Sequence, residues 1–239
     1  MKTLVVEHDP LSTPERVGAY LEKRGAKLEP FVVVGDIADP AVTATFPDDP
    51  YDLVVLMGSP WSVYEERVQG WLGPELDFVR TRLAAGVPML GICFGAQTMS
   101  AALGGEVKHA AMPEYGWTEV GSATKQIEQG PWFQFHHDEF TVPPGAVELA
   151  RNESGVQAFR AGRGLAVQFH PEMTADLLAS WCRVEGGVEE LVEAGRDPDD
   201  LIEESRLRES ESQPGLERLL DWFVDEVAGG DQAPMDGAG

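Results

Sequence analysis

The sequence predicts a doubly wound α/β fold, in which a mostly parallel sheet carries helices on both faces. Two features indicate this fold: short, almost wholly apolar strand-like runs, and helical stretches between them. Strands of a parallel sheet are buried on both faces, and right-handed helical crossovers connect them. A third feature agrees, because 239 residues with 43% hydrophobic side chains can bury a core of this size.

The elements of the N-terminal part follow in order. TLVVEH, at residues 3–8, predicts the first buried strand. A helix follows, with Thr13 as its predicted N-cap and Pro14 at its first position. KLEPFVVV (27–34) and DLVVLMG (52–58) predict the second and third strands. Apolar strands that alternate with helices are typical of a parallel sheet covered on both faces.

The next elements surround a cysteine. Residues 65–86 predict a helix that Pro74 interrupts, because proline removes a backbone donor and clashes with the preceding turn. PMLGIC (88–93) predicts a fourth strand, and FGAQTMSAALGG (94–105) predicts the helix after it. The strand-to-helix junction therefore falls at the cysteine.

Beyond this helix the pattern changes to short strand-like runs with turn signals, such as TVPPGAVELA, and then to helices. We expect a small antiparallel β addition here. No change of composition marks a linker, so we predict one domain over 1–228. Its core covers about 3–185 and a C-terminal helical extension about 186–228, followed by a flexible tail at 229–239.

Composition excludes several classes of function. A net charge of −23 argues against nucleic acid as a partner, because phosphate binding needs clustered Lys and Arg. Much of the acidic excess lies in the C-terminal third, where it fits either a solvated helical face or an acid-biased cellular background. No apolar stretch suits a signal peptide or a membrane span, so we expect a soluble, cytoplasmic protein without membrane contact. We predict no cofactor and no metal, since neither a metal cluster nor the lysine of a phosphate loop is visible.

The thiols differ in context. Two cysteines, Cys93 and Cys182, are too few for a disulfide framework and lack the spacing of a zinc site. Gly91-Ile92-Cys93-Phe94-Gly95 has the pattern of a nucleophile elbow, a tight turn that presents its central residue at the carboxyl edge of the sheet. The helix N-terminus there favours a thiolate, and the amide of Phe94 is placed to donate to an oxyanion. A small residue at a strand end is the alternative.

A base and its orienting acid follow another strand-like run. In GLAVQFHPEM, His170 comes at the predicted strand end, and Glu172 lies two residues further on. A thiolate attacks a carbonyl, an imidazolium protonates the leaving nitrogen, and a carboxylate fixes the imidazole tautomer. Either residue alone is more often structural, but the elbow and His-Pro-Glu together favour catalysis.

Several motifs make the chain similar to the class I (triad) glutamine amidotransferases, especially stand-alone relatives of the glutaminase domain of GMP synthase. The match extends over roughly residues 3 to 175 and includes the first strand, MGSPWSVYEE, LGICFGAQ, ALGGEV, FQFHHDEFTVPPGAVELA and QFHPEMT. The resemblance implies a flavodoxin-like three-layer fold and hydrolysis of the glutamine γ-amide through a γ-glutamyl thioester. It also implies that Cys93, His170 and Glu172 form the triad.

Further site residues follow from the resemblance. Gly58-Ser59-Pro60 resembles the Gly-Gly-Pro oxyanion loop of the family, with Ser59 in place of the second glycine. The amide is kept, so the oxyanion hole survives if serine tolerates the required dihedral angles. Together with Phe94, Gly58 and Ser59 form the predicted hole.

The resemblance also implies a substrate-binding set. Gln97 is implied to contact the substrate, although a helix-surface glutamine is the alternative. His137 and Asp138 are implied to line the amino-acid end of the substrate. Because His136 and His137 are adjacent, we expect at most one of them to face the pocket, and a solvated loop histidine remains the alternative for each.

Glutamine is the predicted substrate, and the ammonia is predicted to pass to an acceptor on a separate synthase partner. Residues 176–239 are too few and too acidic to form such a synthase, and they predict two or three helices. A γ-glutamyl hydrolase with the same triad is an alternative. An α/β-hydrolase is disfavoured because its acid precedes its histidine, and a non-catalytic interaction module is disfavoured because no triad member is missing. Cys182 and His109 are assigned no catalytic role, and His8 is also treated as structural, although it ends the first strand and could approach the active-site edge.

Overall fold

The computed structural model describes residues 1–122, 124–184 and 187–230. The predicted flexible tail therefore lies, from residue 231 onward, outside the described residues. The strands are β1 (Lys2–Glu7), β2 (Lys27–Val32), β3 (Leu53–Leu56), β4 (Met89–Ile92), β5 (Val107–Thr118), β6 (Gly121–Ser122), β7 (Trp132–Phe140), β8 (Val147–Asn152), β9 (Gly155–Ala161) and β10 (Gly164–Val167). The helices are α1 (Glu15–Lys23), α2 (Gln69–Ala84), α3 (Phe94–Ala102), α4 (Ala175–Trp181), α5 (Glu189–Glu193) and α6 (Pro198–Trp222).

One large sheet dominates the fold. Its strand order is β2-β1-β3-β4-β10-β9-β8-β6, and the first five of these strands are parallel. β9, β8 and β6 continue it in antiparallel pairing, while β5 and β7 form a separate two-stranded antiparallel sheet. The predicted fold class, including its antiparallel addition, is confirmed.

Helices cover both faces of the sheet. Along β1, Leu4 and Val6 pack with side chains of α2 and α3, whereas Val5 packs with α1 and α6 on the opposite face. This alternation follows from the strand period of two. A third apolar cluster joins β7 to α4, α5 and α6. The C-terminal helices thus share the buried interior with the sheet.

Two local predictions are wrong. Thr13 does not cap α1, because Pro14 is the N-cap residue and the Thr13 hydroxyl donates instead to the Glu15 carboxylate at 2.9 Å. Pro74 does not interrupt α2, which runs continuously through it. The residue four positions before Pro74 is Gly70. Buried side chains of the helix, such as Trp71 and Val79, pack against the sheet. Their packing outweighs the roughly 3 kcal/mol that an interior proline costs.

None of the helices in the described part of the chain combines the length and the apolar character that a membrane crossing requires.

Candidate active site

Cys93 occupies a strained turn between β4 and α3. Its backbone has φ 52° and ψ −109°, a region that residues with a Cβ rarely adopt, at a cost on the order of 1–3 kcal/mol. A Cβ on Gly91 would lie 2.7 Å from the Gly95 carbonyl oxygen, and one on Gly95 would overlap the Leu56 carbonyl. Both flanking glycines are therefore required by close backbone approach, as the elbow pattern predicts.

His170 and Glu172 come together just beyond β10. The Nδ1 of His170 is 2.7 Å from Oε1 of Glu172, and both side chains are buried. Since a carboxylate accepts, Nδ1 carries the proton and Nε2 is left for chemistry. Nε2 is itself buried and has no hydrogen-bond partner among the described residues.

The imidazole lies in the field of two negative groups. Burial lowers the pKa of His170, but the charges of Glu172 and Cys93 more than offset it and raise this pKa to about 10. The cysteine sulfur also accepts from Nε2 of Gln168 at 3.5 Å. The arrangement favours an imidazolium at His170 at neutral pH.

The Gly58–Ser59 loop lies beside both Cys93 and His170. A Cβ on Gly58 would lie 3.2 Å from Cε1 of His170 and 3.9 Å from Cβ of Cys93. Within the described residues, Glu15 and Cys93 are the non-glycine residues with positive φ, so Ser59 requires no glycine-like conformation. Phe94 is the first residue of α3, where amide groups have no intrahelical acceptor.

A cavity of about 310 Å³ opens at this edge of the sheet. The predicted residues that border it are Gly58, Ser59, Cys93, Gln97, His136, His137, Asp138 and His170. Both adjacent histidines therefore border the cavity, whereas the sequence predicted at most one. Their ring contacts differ: Nε2 of His136 is 3.2 Å from a Glu114 carboxylate oxygen, while Nε2 of His137 is 3.1 Å from the Ser62 hydroxyl. Phe94 and Glu172 adjoin the site without appearing on the cavity wall.

Charged groups also border this cavity. Oε1 of Glu190 is 3.3 Å from Nδ1 of His137, and this contact with its charge raises the pKa of His137 despite burial. Tyr115 donates to the other oxygen of Glu190 at 3.0 Å, and Tyr64 donates to Asp138 at 2.6 Å. Two carboxylates are thereby fixed near the cavity. Across residues 1–122, 124–184 and 187–230, no cluster of His, Cys, Asp and Glu is arranged to hold a metal ion.

The sequence missed a buried pair behind the Gly58–Ser59 loop. His8, at the end of β1, donates from Nδ1 to the Gly58 carbonyl at 2.9 Å, and its Nε2 is 3.0 Å from Oε1 of Glu75 in α2. From the sequence, His8 is expected to be structural but able to approach the active-site edge, and no motif singles out Glu75. The available signal is the acid itself, which interrupts the apolar face of α2 between Trp71 and Phe78.

Comparison with known proteins agrees with the fold. Residues 15–179 match the family model described as glutamine amidotransferase class-I. A GMP synthase [glutamine-hydrolyzing] of Aromatoleum aromaticum is 34% identical over 193 residues, covering 70% of this chain but 34% of that protein. The chain thus spans about a third of the length of that curated relative.

Solved structures match over a larger share of their length. A glutamine amidotransferase from Thermotoga maritima superposes with a TM-score of 0.80 at 25% identity, covering 95% of this chain and 99% of that one. A putative GMP synthase subunit from Thermoplasma acidophilum superposes with a TM-score of 0.56 at 26% identity, covering 72% of this chain and 85% of that one. The chain belongs to the class I glutamine amidotransferase family.

Proposed function

We propose that this protein hydrolyses the side-chain amide of glutamine through a γ-glutamyl thioester on Cys93, and that the ammonia passes to an acceptor on a separate partner. The observation that carries the proposal is the buried His170–Glu172 pair, with its 2.7 Å contact, because His170 borders the same cavity as the strained Cys93. Membership of the class I family and the likeness to glutamine-hydrolysing relatives support the choice of substrate.

The first half of the reaction forms the thioester. The Cys93 thiolate adds to the amide carbonyl carbon, and the amides of Ser59 and Phe94 donate to the oxyanion that develops. Nε2 of His170 then gives its proton to the leaving nitrogen, which departs as ammonia when the tetrahedral intermediate collapses. Glu172 holds the ring by accepting from Nδ1 throughout.

The second half of the reaction hydrolyses the thioester, and it depends on the change of charge at Cys93. Acylation removes the thiolate charge that helps to raise the pKa of His170, so this pKa falls once the thioester has formed. The neutral imidazole can then take a proton from water as its oxygen attacks the thioester carbonyl. Glutamate leaves, and the proton on Nε2 again faces a free thiolate. One histidine thus serves as acid and then as base.

The charged side chains that border the cavity suit the binding of a free amino acid. Asp138 and Glu190 supply carboxylates for an α-ammonium group, and Arg67 on the same cavity supplies a guanidinium for an α-carboxylate. Gln97, which is buried on α3, adds an amide. We propose that these groups select glutamine by its amino-acid end.

The test of the chemistry compares the two thiols. Cys93→Ala should reduce ammonia release from glutamine on the order of 10⁴-fold or more, the scale of nucleophile loss in other enzymes. Cys182→Ser, which changes a half-buried cysteine at the end of α4, should leave the rate nearly intact. A cysteine-directed glutamine analogue should add once to the wild type, at Cys93. Unchanged turnover in Cys93→Ala would overturn the mechanism.

The test of the partner uses the same assay. A neighbour in fold is named as a putative GMP synthase subunit, which supports a partner that activates the acceptor. Residues 176–239 contain no glycine-rich loop with a lysine, so we expect the purified chain to bind no ATP and to release ammonia slowly. Ammonia release is measured for the chain and for any complex recovered from native lysate. Fast turnover without a partner would favour a self-sufficient γ-glutamyl hydrolase, which assays with other γ-glutamyl amides would identify.

A further inference from the structure

The His8–Glu75 pair lies entirely inside the protein, behind the loop that borders Cys93. Both side chains are 0% exposed, and the Nε2–Oε1 distance is 3.0 Å. β1 ends just before His8, and Glu75 belongs to α2, so two elements 67 residues apart in sequence meet here. The proposed mechanism assigns this pair no role.

Stability alone gives no reason for such a pair. The second oxygen of Glu75 is buried and has no hydrogen-bond partner among the described residues, so His8 is the contact that compensates the carboxylate there. Buried ion pairs are often no more stable than apolar side chains of similar volume. The surroundings are aromatic. The ring centroids of His8 and Phe94 are 4.7 Å apart in an edge-to-face arrangement, and those of His8 and Trp71 are 5.7 Å apart. A buried carboxylate among aromatic side chains is unfavourable for packing, and its position next to the candidate site favours a functional explanation.

The direction of the hydrogen bond to Gly58 is fixed by chemistry. A carbonyl oxygen accepts, so Nδ1 of His8 carries a proton whichever form the Glu75 contact takes. The Gly58–Ser59 peptide is trans, so its carbonyl and its N–H point in opposite directions. Holding the Gly58 carbonyl on His8 therefore turns the Ser59 N–H away from His8, and Ser59 borders the cavity.

We propose that His8 and Glu75 are positioning residues: they hold the Gly58–Ser59 peptide and polarise it, so that the Ser59 amide becomes a stronger donor to the oxyanion. This inference rests on the proposed function. Hydrogen bonds in series strengthen one another in a low-dielectric interior, so a donor on the carbonyl increases the donor strength of the same peptide's N–H. Burial lowers the pKa of His8, but Glu75, the Gly58 carbonyl and the nearby Asp9 raise it overall, which favours an imidazolium at this position.

Two double variants isolate the hydrogen bond. His8→Phe with Glu75→Leu removes the pair and leaves no buried charge, whereas His8→Asn with Glu75→Leu keeps an amide donor at the δ position beside the Gly58 carbonyl. With glutamine, we expect the Phe/Leu protein to lose about 10- to 100-fold in kcat with KM little changed, because the weakened donor acts in the transition state. The Asn/Leu protein should recover most of that loss.

A second measurement separates this role from a structural one. Alkylation of Cys93 by iodoacetamide develops no oxyanion, so its rate should stay within about twofold of wild type in both double variants. Val79→Ala is the matched control, because it removes buried volume from the same helix, leaves both members of the His8–Glu75 pair in place and does not line the cavity, and its kcat should stay at the wild-type value. If the double variants fail to fold, Glu75→Gln keeps the shape of the pair and should still lower kcat several-fold with unchanged alkylation.

Each other outcome decides against the inference. A wild-type kcat in the His8→Phe/Glu75→Leu protein would overturn it. If only Glu75→Gln folds, a wild-type kcat in that variant would overturn it. A fall in alkylation that matches the fall in turnover, or an equal loss in Val79→Ala, would show a structural role only. If wild type alkylates at Cys93 but hydrolyses neither glutamine nor another γ-glutamyl amide, the proposed function fails and the inference fails with it. If wild type hydrolyses normally and the variants do too, the inference alone fails.

Discussion

Removing the charge of Glu172 should shift the pH dependence of the reaction. Its Oε1 is 2.7 Å from Nδ1 of His170, and both side chains are buried. Burial alone would lower the pKa of His170, yet the charges of Glu172 and Cys93 raise it from 6.5 to about 10. Two unit charges about 4 Å apart interact by about 4 kcal/mol at an effective dielectric constant of about 20, which equals about 3 pKa units. In Glu172→Gln we therefore expect this pKa to fall to about 7.

The assay is kcat/KM for ammonia release from glutamine, measured from pH 5 to 11 and corrected for the ionisation of the α-ammonium group of glutamine, which is the same for every variant. In the wild type the alkaline limb reports loss of the imidazolium proton and should lie near the His170 pKa of about 10. In Glu172→Gln the same limb should lie about 3 pH units lower, since the raised pKa depends on the missing charge. Turnover below this limb should remain above that of His170→Ala, because the glutamine side-chain oxygen can still accept from Nδ1.

Glu172→Asp is the control, because it keeps the charge and changes only its distance. Its alkaline limb should stay closer to that of the wild type than the limb of Glu172→Gln, even if its rate is lower. An alkaline limb in Glu172→Gln that coincides with the wild type would refute the electrostatic account. Lower turnover in Glu172→Gln than in His170→Ala would mean that Glu172 has a role beyond orienting the imidazole.

Three substitutions of the turn residues test the local geometry. Gly58→Ala should lower kcat/KM about tenfold or more in the ammonia assay while the melting temperature changes little, because the new Cβ would lie 3.2 Å from Cε1 of His170; wild-type kcat/KM would contradict this. Cys93→Gly should be inactive but about 1 kcal/mol more stable to urea than Cys93→Ala, since glycine relieves the positive φ of 52°; equal stability would argue against strain. Gly95→Ala should lower the free energy of unfolding by about 1–3 kcal/mol, because its Cβ would overlap the Leu56 carbonyl, and an unchanged urea midpoint would show that the backbone relaxes freely.

The part of the site that the sequence predicts best is carried by local pattern. Gly91 and Gly95 mark the elbow because backbone contact excludes any Cβ there. His170 follows a buried strand, and parallel strands bring their carboxyl ends to one edge of the sheet, so its meeting with Cys93 follows from topology. The positions of these side chains agree with the prediction, and their catalytic roles stay predictions.

The features that the sequence could not predict depend on long-range packing. His8 and Glu75 are 67 residues apart and share no motif, so only the register of β1 and the placement of α2 bring them together. The prediction about Pro74 failed for a related reason: a propensity rule applies to an isolated helix, whereas the buried face of α2 is held by the sheet. Tertiary contacts decided both cases.

The C-terminal helices are part of the site although residues after 179 lie outside the matched family segment. Arg16 in α1 donates to the Met173 carbonyl at 3.3 Å and to the Ser212 hydroxyl in α6 at 3.0 Å. In the same region Glu209 of α6 accepts from the amide of Ala175 at 2.5 Å. α6 therefore braces the segment that follows Glu172, and α5 brings Glu190 to the cavity. Under the proposed function, this packing places part of the choice of substrate in a helix beyond the matched segment.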